Sequence, residues 1–292
     1  MVEEIFDYPA YLSAKKAIDD KSINRQVWLT MCHWLQHRQA QKNRVKILEI
    51  GAGIGTMIER IIDEAMVKDC FYTAIEQEPE FKDHAFDRLS ENNRFTMVTD
   101  DSRWDLSSGN TRLTIEWLSG DAMEINQILE QRDYDLVLSH AVIDLLPVPL
   151  FLPRLFKHLK SDGGYYFSMN FSGKTEFSPG HTDDEIIYNA YHQDMDSRFN
   201  NIDWQPSRTG ILLGEWLINQ GHNVLATGPS DWILSSHSNT DDNLFIENIL
   251  QTIEKALIDL PYLESWLDTR RQQLKSGELW FSASNIDYFG FI

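Results

Sequence analysis

The stretch KILEIGAGIGTM, residues 46–57, constrains the chain more than any other. Residues 45–50, VKILEI, form a short apolar run of the kind that sits in the middle of a parallel sheet. Gly51, Gly53 and Gly55 follow at every second position, and TMIERIIDEAM then reads as a helix with Met57, Ile58, Ile61 and Ile62 facing inwards. A strand that passes through glycines into a helix opens a β-α unit, and such sheets bind ligands beyond the carboxyl ends of their strands. Glycine permits positive φ in that turn and lets a ligand press against bare backbone.

The alternation repeats along the chain. FYTAIEQEPE is a second strand ending in acids, and FKDHAFDRLSENN is a helix. A polar loop near TDDSRWDLSSGN precedes RLTIEWLSGDAMEI, a strand and turn. INQILEQ is a short helix, YDLVLSHAVIDLL begins with a strand at 134–139, PLFLPRLFKHLKSDG is a helix, and GYYFSMNF is a fifth strand. Five alternations predict an α/β domain with a parallel sheet, which excludes a sandwich or a helical bundle. Residues 1–44 read as helical, with Val27, Met31, Trp34 and Leu35 at helical spacing and Ser22 as the N-cap. After Phe171 the rhythm breaks into a polar, aromatic stretch over 172–206. TGILLGEWLINQG is then a helix, HNVLATGPSDWIL a strand, 241–275 one or two helices, and ELWFSASNIDYFGFI a β-rich close. No Pro/Gly/Ser-rich linker separates a second domain.

Composition narrows the function classes. At 292 residues with 42% hydrophobic and 12% aromatic content, the chain has material for a large core. A net charge of −19 repels polyphosphates, so nucleic acid is not the expected partner. No apolar stretch approaches the roughly 20 residues of a membrane helix, and MVEEIFDYPAYL lacks the basic start of a signal peptide. A cytoplasmic protein without membrane contact is expected, with a homodimer as an allowed assembly. Cys32 and Cys70 have neither metal-ligand nor disulfide spacing and read as buried small side chains. His181, His192 and Asp194 do not form a ligand signature either, so no metal is expected.

The glycine spacing discriminates between cofactors. Dinucleotide folds use G-x-G-x-x-G, whereas this turn is G-x-G-x-G preceded by Glu49. ILEIGAGIGTM resembles the first motif of class I S-adenosylmethionine-dependent methyltransferases, and the resemblance runs through residues 45–170. It implies a seven-stranded, mostly parallel sheet with helices on both faces, closed by an antiparallel strand pair. Here that fold carries an N-terminal helical lid segment (1–44) before the cofactor-binding domain (45–292). An acceptor-binding insertion falls at about 172–208, and a helical insertion between strands six and seven at about 241–275. The resemblance places Glu49, Gly51, Ala52, Gly53 and Gly55 against the methionyl and ribose parts of S-adenosylmethionine. Glu76 lies 25 positions past Gly51, with Gln77 beside it, and matches the second-strand acid that holds both ribose hydroxyls. Gly120-Asp121-Ala122 resembles the adenine-binding motif, and Ser139 with His140 the segment along the methionyl arm.

What the resemblance implies is methyl transfer to a small-molecule acceptor by in-line displacement, with S-adenosylhomocysteine as product. Two other readings stand: an NAD(P)-dependent oxidoreductase, and a cofactor-binding protein of this fold without turnover. For the chemistry itself, His140 is either a base or a wall against the cofactor, and Asp144 either orients an acceptor or caps the helix at LLPVP. Tyr188, Tyr191 and His192 share a helical face, which would clamp an acceptor and supply a base, or would pack on the core. Arg198 and Arg208 are either grips for a substrate carboxylate or surface charges. At the N-terminus, Tyr8, Tyr11 and Lys16 lie where related proteins fold a lid over the cofactor, or where a helix starts by burying two rings.

Overall fold

The computed structural model describes residues 8–42, 44–64, 67–91, 96–100, 103–109, 111–130, 133–199, 201–237 and 240–292. Helices α1 (Tyr8–Ser22) and α2 (Arg25–Gln41) lead into β1 (Val45–Ile50), α3 (Thr56–Asp63), β2 (Asp69–Glu76) and α4 (Phe81–Ser90). Three strands follow, β3 (Thr96–Asp100), β4 (Arg103–Ser108) and β5 (Thr111–Ser119), and then α5 (Ile125–Ile128), β6 (Tyr134–His140) and α6 (Val148–Leu155). The long β7 (Leu159–Ser178) precedes α7 (Asp184–Ser197), α8 (Thr209–Asn219), β8 (Asn223–Pro229) and β9 (Trp232–Ser235). Helices α9 (Thr240–Ala256) and α10 (Leu263–Ser276) lead to β10 (Trp280–Phe291), which ends the sheet.

Among the described residues ten strands form one sheet in the order β3-β4-β5-β2-β1-β6-β7-β10-β8, with β9 paired to β10. The strands β5, β2, β1, β6 and β7 are parallel, and β10 with β8 forms the antiparallel close. Seven strands therefore stand in the expected arrangement, and three are additional. The predicted polar loop near TDDSRWDLSSGN is part of the hairpin β3–β4. Its alternation was hidden by acids and serines: Trp104 and Leu106 are buried while their neighbours face water, and Trp104 stacks on Trp117 at 5.4 Å.

Each β1 face feeds a different core. Val45 and Ile47 join a cluster with α2, α3 and α4; Leu48 and Ile50 join one with α5, α6 and α8. On α3, Met57, Ile58, Ile61 and Ile62 are all buried, each contributing roughly 1.5–3 kcal/mol of apolar burial. The N-cap of α2 is Asn24, whose Oδ1 accepts the Val27 amide at 3.1 Å; Ser22 instead ends α1. The break expected after Phe171 is displaced, because β7 continues to Ser178 along β10.

A third cluster unites segments far apart in sequence. Ile18 of α1, Ile187 of α7, Phe245 of α9, Trp266 of α10 and Phe281 of β10 pack together. Tyr11 stacks on Phe245 at 5.6 Å, and Trp266 Nε1 donates to Asp184 at 2.8 Å. The helical insertion is thus packed against the N-terminal helix and α7. The side chain of Tyr8 lies outside the described residues. No helix among the described residues is long and apolar enough to cross a membrane.

Candidate active site

Strand register gathers the motifs at one level. Ile50 pairs with Ile75 and with Ser139, and Glu76 pairs with Ser119. Gly51, Glu76, Gly120 and His140 therefore meet at the carboxyl ends of four neighbouring strands. Order reverses between β1 and β6, which is where an open α/β sheet forms its crevice. A cleft of about 730 Å³ opens there, within the size range of small-molecule sites.

The glycine turn is bare for a steric reason. Gly51 and Gly53 have φ of +69° and +54°, and a Cβ on Gly51 would lie 2.5 Å from Val142 Cγ2. The Gly53 amide donates to Glu76 Oε2 at 2.6 Å, and the Glu78 amide to Oε1 at 3.0 Å. Glu76 is thereby fixed beside the turn, with lone pairs left on both oxygens for two hydroxyl donors. The same contact opposes a pyrophosphate, since the loop amide is engaged by a carboxylate that would repel it. Asp121 Oδ1 accepts the Met123 amide at 2.8 Å, which leaves its other oxygen for an amino group. Ala52, Gln77, Gly120 and Ala122 also line the cleft. Gly55 does not: it is the left-handed N-cap of α3, and its Cβ would press on Ala85 at 3.2 Å. Ser139 also departs from expectation, because its hydroxyl is buried and donates to the Ile50 carbonyl at 3.2 Å.

Beneath the turn lies a buried polar group. Glu49 accepts the Tyr72 hydroxyl at 2.6 Å, and burial pushes its carboxyl up to about 8 despite that bond. His140 has Nε2 2.9 Å from Asp19 Oδ2 and Nδ1 2.8 Å from Ser168 Oγ. Burial, reinforced by Arg60, pushes the imidazole down to about 4, so the ring is neutral at neutral pH. Burial disfavours an ionised Asp19, yet Lys15 and the His140 contact outweigh it and hold its carboxyl well below the usual range. Lys15 Nζ lies 2.5 Å from Asp19 Oδ2, and Trp232 Nε1 donates to Oδ1 at 2.9 Å. An ionised Asp19 accepts from His140 Nε2–H, which leaves Nδ1 to accept the Ser168 hydroxyl. Both ring nitrogens are consequently used inside the protein, and neither offers a lone pair to the cleft.

The far side of the cleft is built from Met169, Phe171, Tyr191, Met195, Trp232 and Phe281. Met169 has φ of +59° within β7, and its amide donates to the buried Asp287 Oδ1 at 2.7 Å. Ile249 brings the helical insertion to the cleft wall. Asp144 lines the cleft from the 3-10 turn Ile143–Leu145 and makes no cap bond to α6, whose N-cap is Pro147. Burial pushes its carboxyl up to about 6.

Of Tyr188, Tyr191 and His192 on α7, Tyr191 is the one that lines the cleft. The Tyr188 hydroxyl accepts the Phe177 amide at 2.9 Å, and His192 Nε2 sits 3.1 Å from Thr175 Oγ1 behind the wall. The helix turns these two toward β7, so neither faces an acceptor. Arg198 and Arg208 are exposed and do not line the cleft, so a carboxylate grip from them is not formed. Sequence reasoning passed over Lys15, Asp19, Met169 and Trp232. Lys15 and Asp19 read as an ordinary i, i+4 helix pair, and a left-handed methionine within a strand has no local signature.

The family profile described as "Putative S-adenosyl-L-methionine-dependent methyltransferase" matches residues 28–210. The fold is similar to the crystal structure of a putative methyltransferase from Bacillus halodurans C-125, at 12% identity and a TM-score of 0.52, over 89% of this chain and 97% of that one. Weaker likeness extends to the plantazolicin methyltransferase BamL with S-adenosylhomocysteine (15% identity, TM-score 0.43, 97% and 92% covered). Another is coclaurine N-methyltransferase bound to N-methylheliamine and S-adenosylhomocysteine (13%, 0.42, 90% and 72%). No curated protein matches the sequence. With its glycine turn, strand-end acids and strand order in place, the chain belongs to this family of S-adenosylmethionine-dependent methyltransferases.

Proposed function

We propose that the protein transfers a methyl group from S-adenosylmethionine to a small, largely apolar acceptor. The observation that carries this reading is one continuous cleft with two chemically distinct ends. Strand-end acids and left-handed glycines line one end, and aromatic and methionine side chains line the other. The residues present fit the cofactor: Glu76 would hold the ribose hydroxyls, Asp121 would hold the adenine amino group, and Gly51 gives backbone where any side chain would meet Val142. When bound, the cofactor supplies an electrophilic methyl group on a sulfonium. The residues of this chain position the acceptor in line and exclude water, which is where most of the rate of such a displacement originates. His140 acts as a fastener for the wall at the methionyl arm, since both of its nitrogens are bonded within the protein.

Isothermal titration calorimetry with S-adenosylhomocysteine and with NADH tests the donor. The wild-type protein should bind S-adenosylhomocysteine and lose roughly tenfold or more in affinity on Glu76→Ala, as expected for a charged hydrogen-bond acceptor. Tight NADH binding without any response to S-adenosylhomocysteine would overturn the reading.

A further inference from the structure

We infer that the acceptor carries one basic nitrogen, held by the Asp144 carboxylate at the apolar end of the cleft. This rests on the methyltransferase reading and adds the class of acceptor.

Asp144, a half-buried residue, differs from the buried acids at the cleft. Asp19 is bonded by Lys15, His140 and Trp232, Glu49 by Tyr72, and Glu76 by two backbone amides. Asp144 Oδ1 is buried with no hydrogen-bond partner. Among the described residues, Lys15 and Arg198 lower its carboxyl through space, and neither is paired with it. Lys15, the lysine that lines the cleft, is committed to Asp19 and lies 5.0 Å over the Trp232 ring, and Arg198 is out on the surface. A carboxylate oxygen buried without a partner is costly unless a cation or a proton joins it. A ligand nitrogen supplies that charge, and the Tyr191 ring in the cleft wall favours a cation beside it as well as an apolar body. An acceptor carboxylate would instead be repelled by Asp144.

The chemistry is balanced. Asp144 first takes a proton from the bound ammonium, which frees the nitrogen lone pair. That pair forms the new N–C bond as the S–C bond of the donor breaks, with the sulfur keeping the bond's electrons as a thioether. The nitrogen becomes the cation, and Asp144 releases its proton to water as it pairs with the methylated ammonium. Burial raises the Asp144 carboxyl to about 6, which makes it a stronger proton acceptor than an exposed aspartate.

Three probes with one ring system test this: tryptamine, tryptophol and indole-3-propionate, titrated calorimetrically into the complex with S-adenosylhomocysteine. Tryptamine should bind roughly tenfold tighter than the alcohol or the acid. Asp144→Asn should erase that preference while changing S-adenosylhomocysteine affinity by less than about threefold. Equal affinities, no tryptamine binding, or a preference that survives Asp144→Asn overturns the inference. So does a variant that weakens S-adenosylhomocysteine alone, which would put Asp144 on the cofactor's ammonium. Failure of the wild type to bind S-adenosylhomocysteine overturns the methyltransferase reading beneath it.

Discussion

His140 Nε2 lies 2.9 Å from Asp19 Oδ2, across 121 positions of sequence, and the contact ties α1 to the end of β6. It forms the seam between the N-terminal helix and the sheet. Leu12, one turn before Lys15, comes within 3.6 Å of where a Gly53 side chain would begin, so the same helix roofs the glycine turn.

Asp19→Ala should therefore be expensive. It leaves the Lys15 ammonium, the Trp232 indole N–H and the His140 ring without their acceptor in a buried setting. Breaking one side of such a group costs about 3–5 kcal/mol. Differential scanning calorimetry should show a fall in Tm on the order of 10 °C. An unchanged Tm would mean that α1 is anchored by its apolar face alone.

Gly51→Ala should weaken S-adenosylhomocysteine binding by roughly tenfold or more, because the new methyl meets Val142 and the left-handed backbone adds about 1–2 kcal/mol of strain. Val142→Ala removes the steric part and not the backbone part. The double variant should accordingly recover some affinity and stay below wild type. Full recovery would show that the positive φ carries no weight at this position.

Glu49 offers a pH test. Its carboxyl is raised by burial from 4.5 to about 8 in the folded protein. A group raised in this direction favours the folded state below its unfolded value, and that contribution is lost as pH rises through about 8. The stability of Glu49→Gln relative to wild type should therefore climb from about pH 5, by roughly 1.4 kcal/mol per pH unit at most, and level off above about pH 8. Urea denaturation of the cofactor-free protein at several pH values would show it. A difference that stays constant with pH would count against a buried, protonated Glu49.

Much of the cleft's lining at the strand ends was legible from KILEIGAGIGTM and the strand termini. Glu76, Asp121 and three glycines lie within or next to short periodic runs, and five of the strands alternate with helices. The exceptions follow a pattern. Gly55 and Ser139 belong to the right motifs, yet packing turns one against α4 and the other into the β1–β6 seam. The face predicted from Tyr188, Tyr191 and His192 exists, but β7 runs on to Ser178 and takes up two of the three side chains.

By itself, the sequence determined the parallel α/β order, the phosphate-free glycine turn and the acids at the strand ends. These depend on periodicity, on positive φ and on residues only a few positions apart. Only the tertiary structure decided that His140 is bonded on both sides, that Met169 is held by Asp287, and that Asp144 keeps a buried oxygen without a partner. The physical reason is that burial and pairing are set by contacts such as α1 with β6, α1 with β9 and β7 with β10, each more than 100 residues apart, and no local pattern encodes which charges such contacts will satisfy.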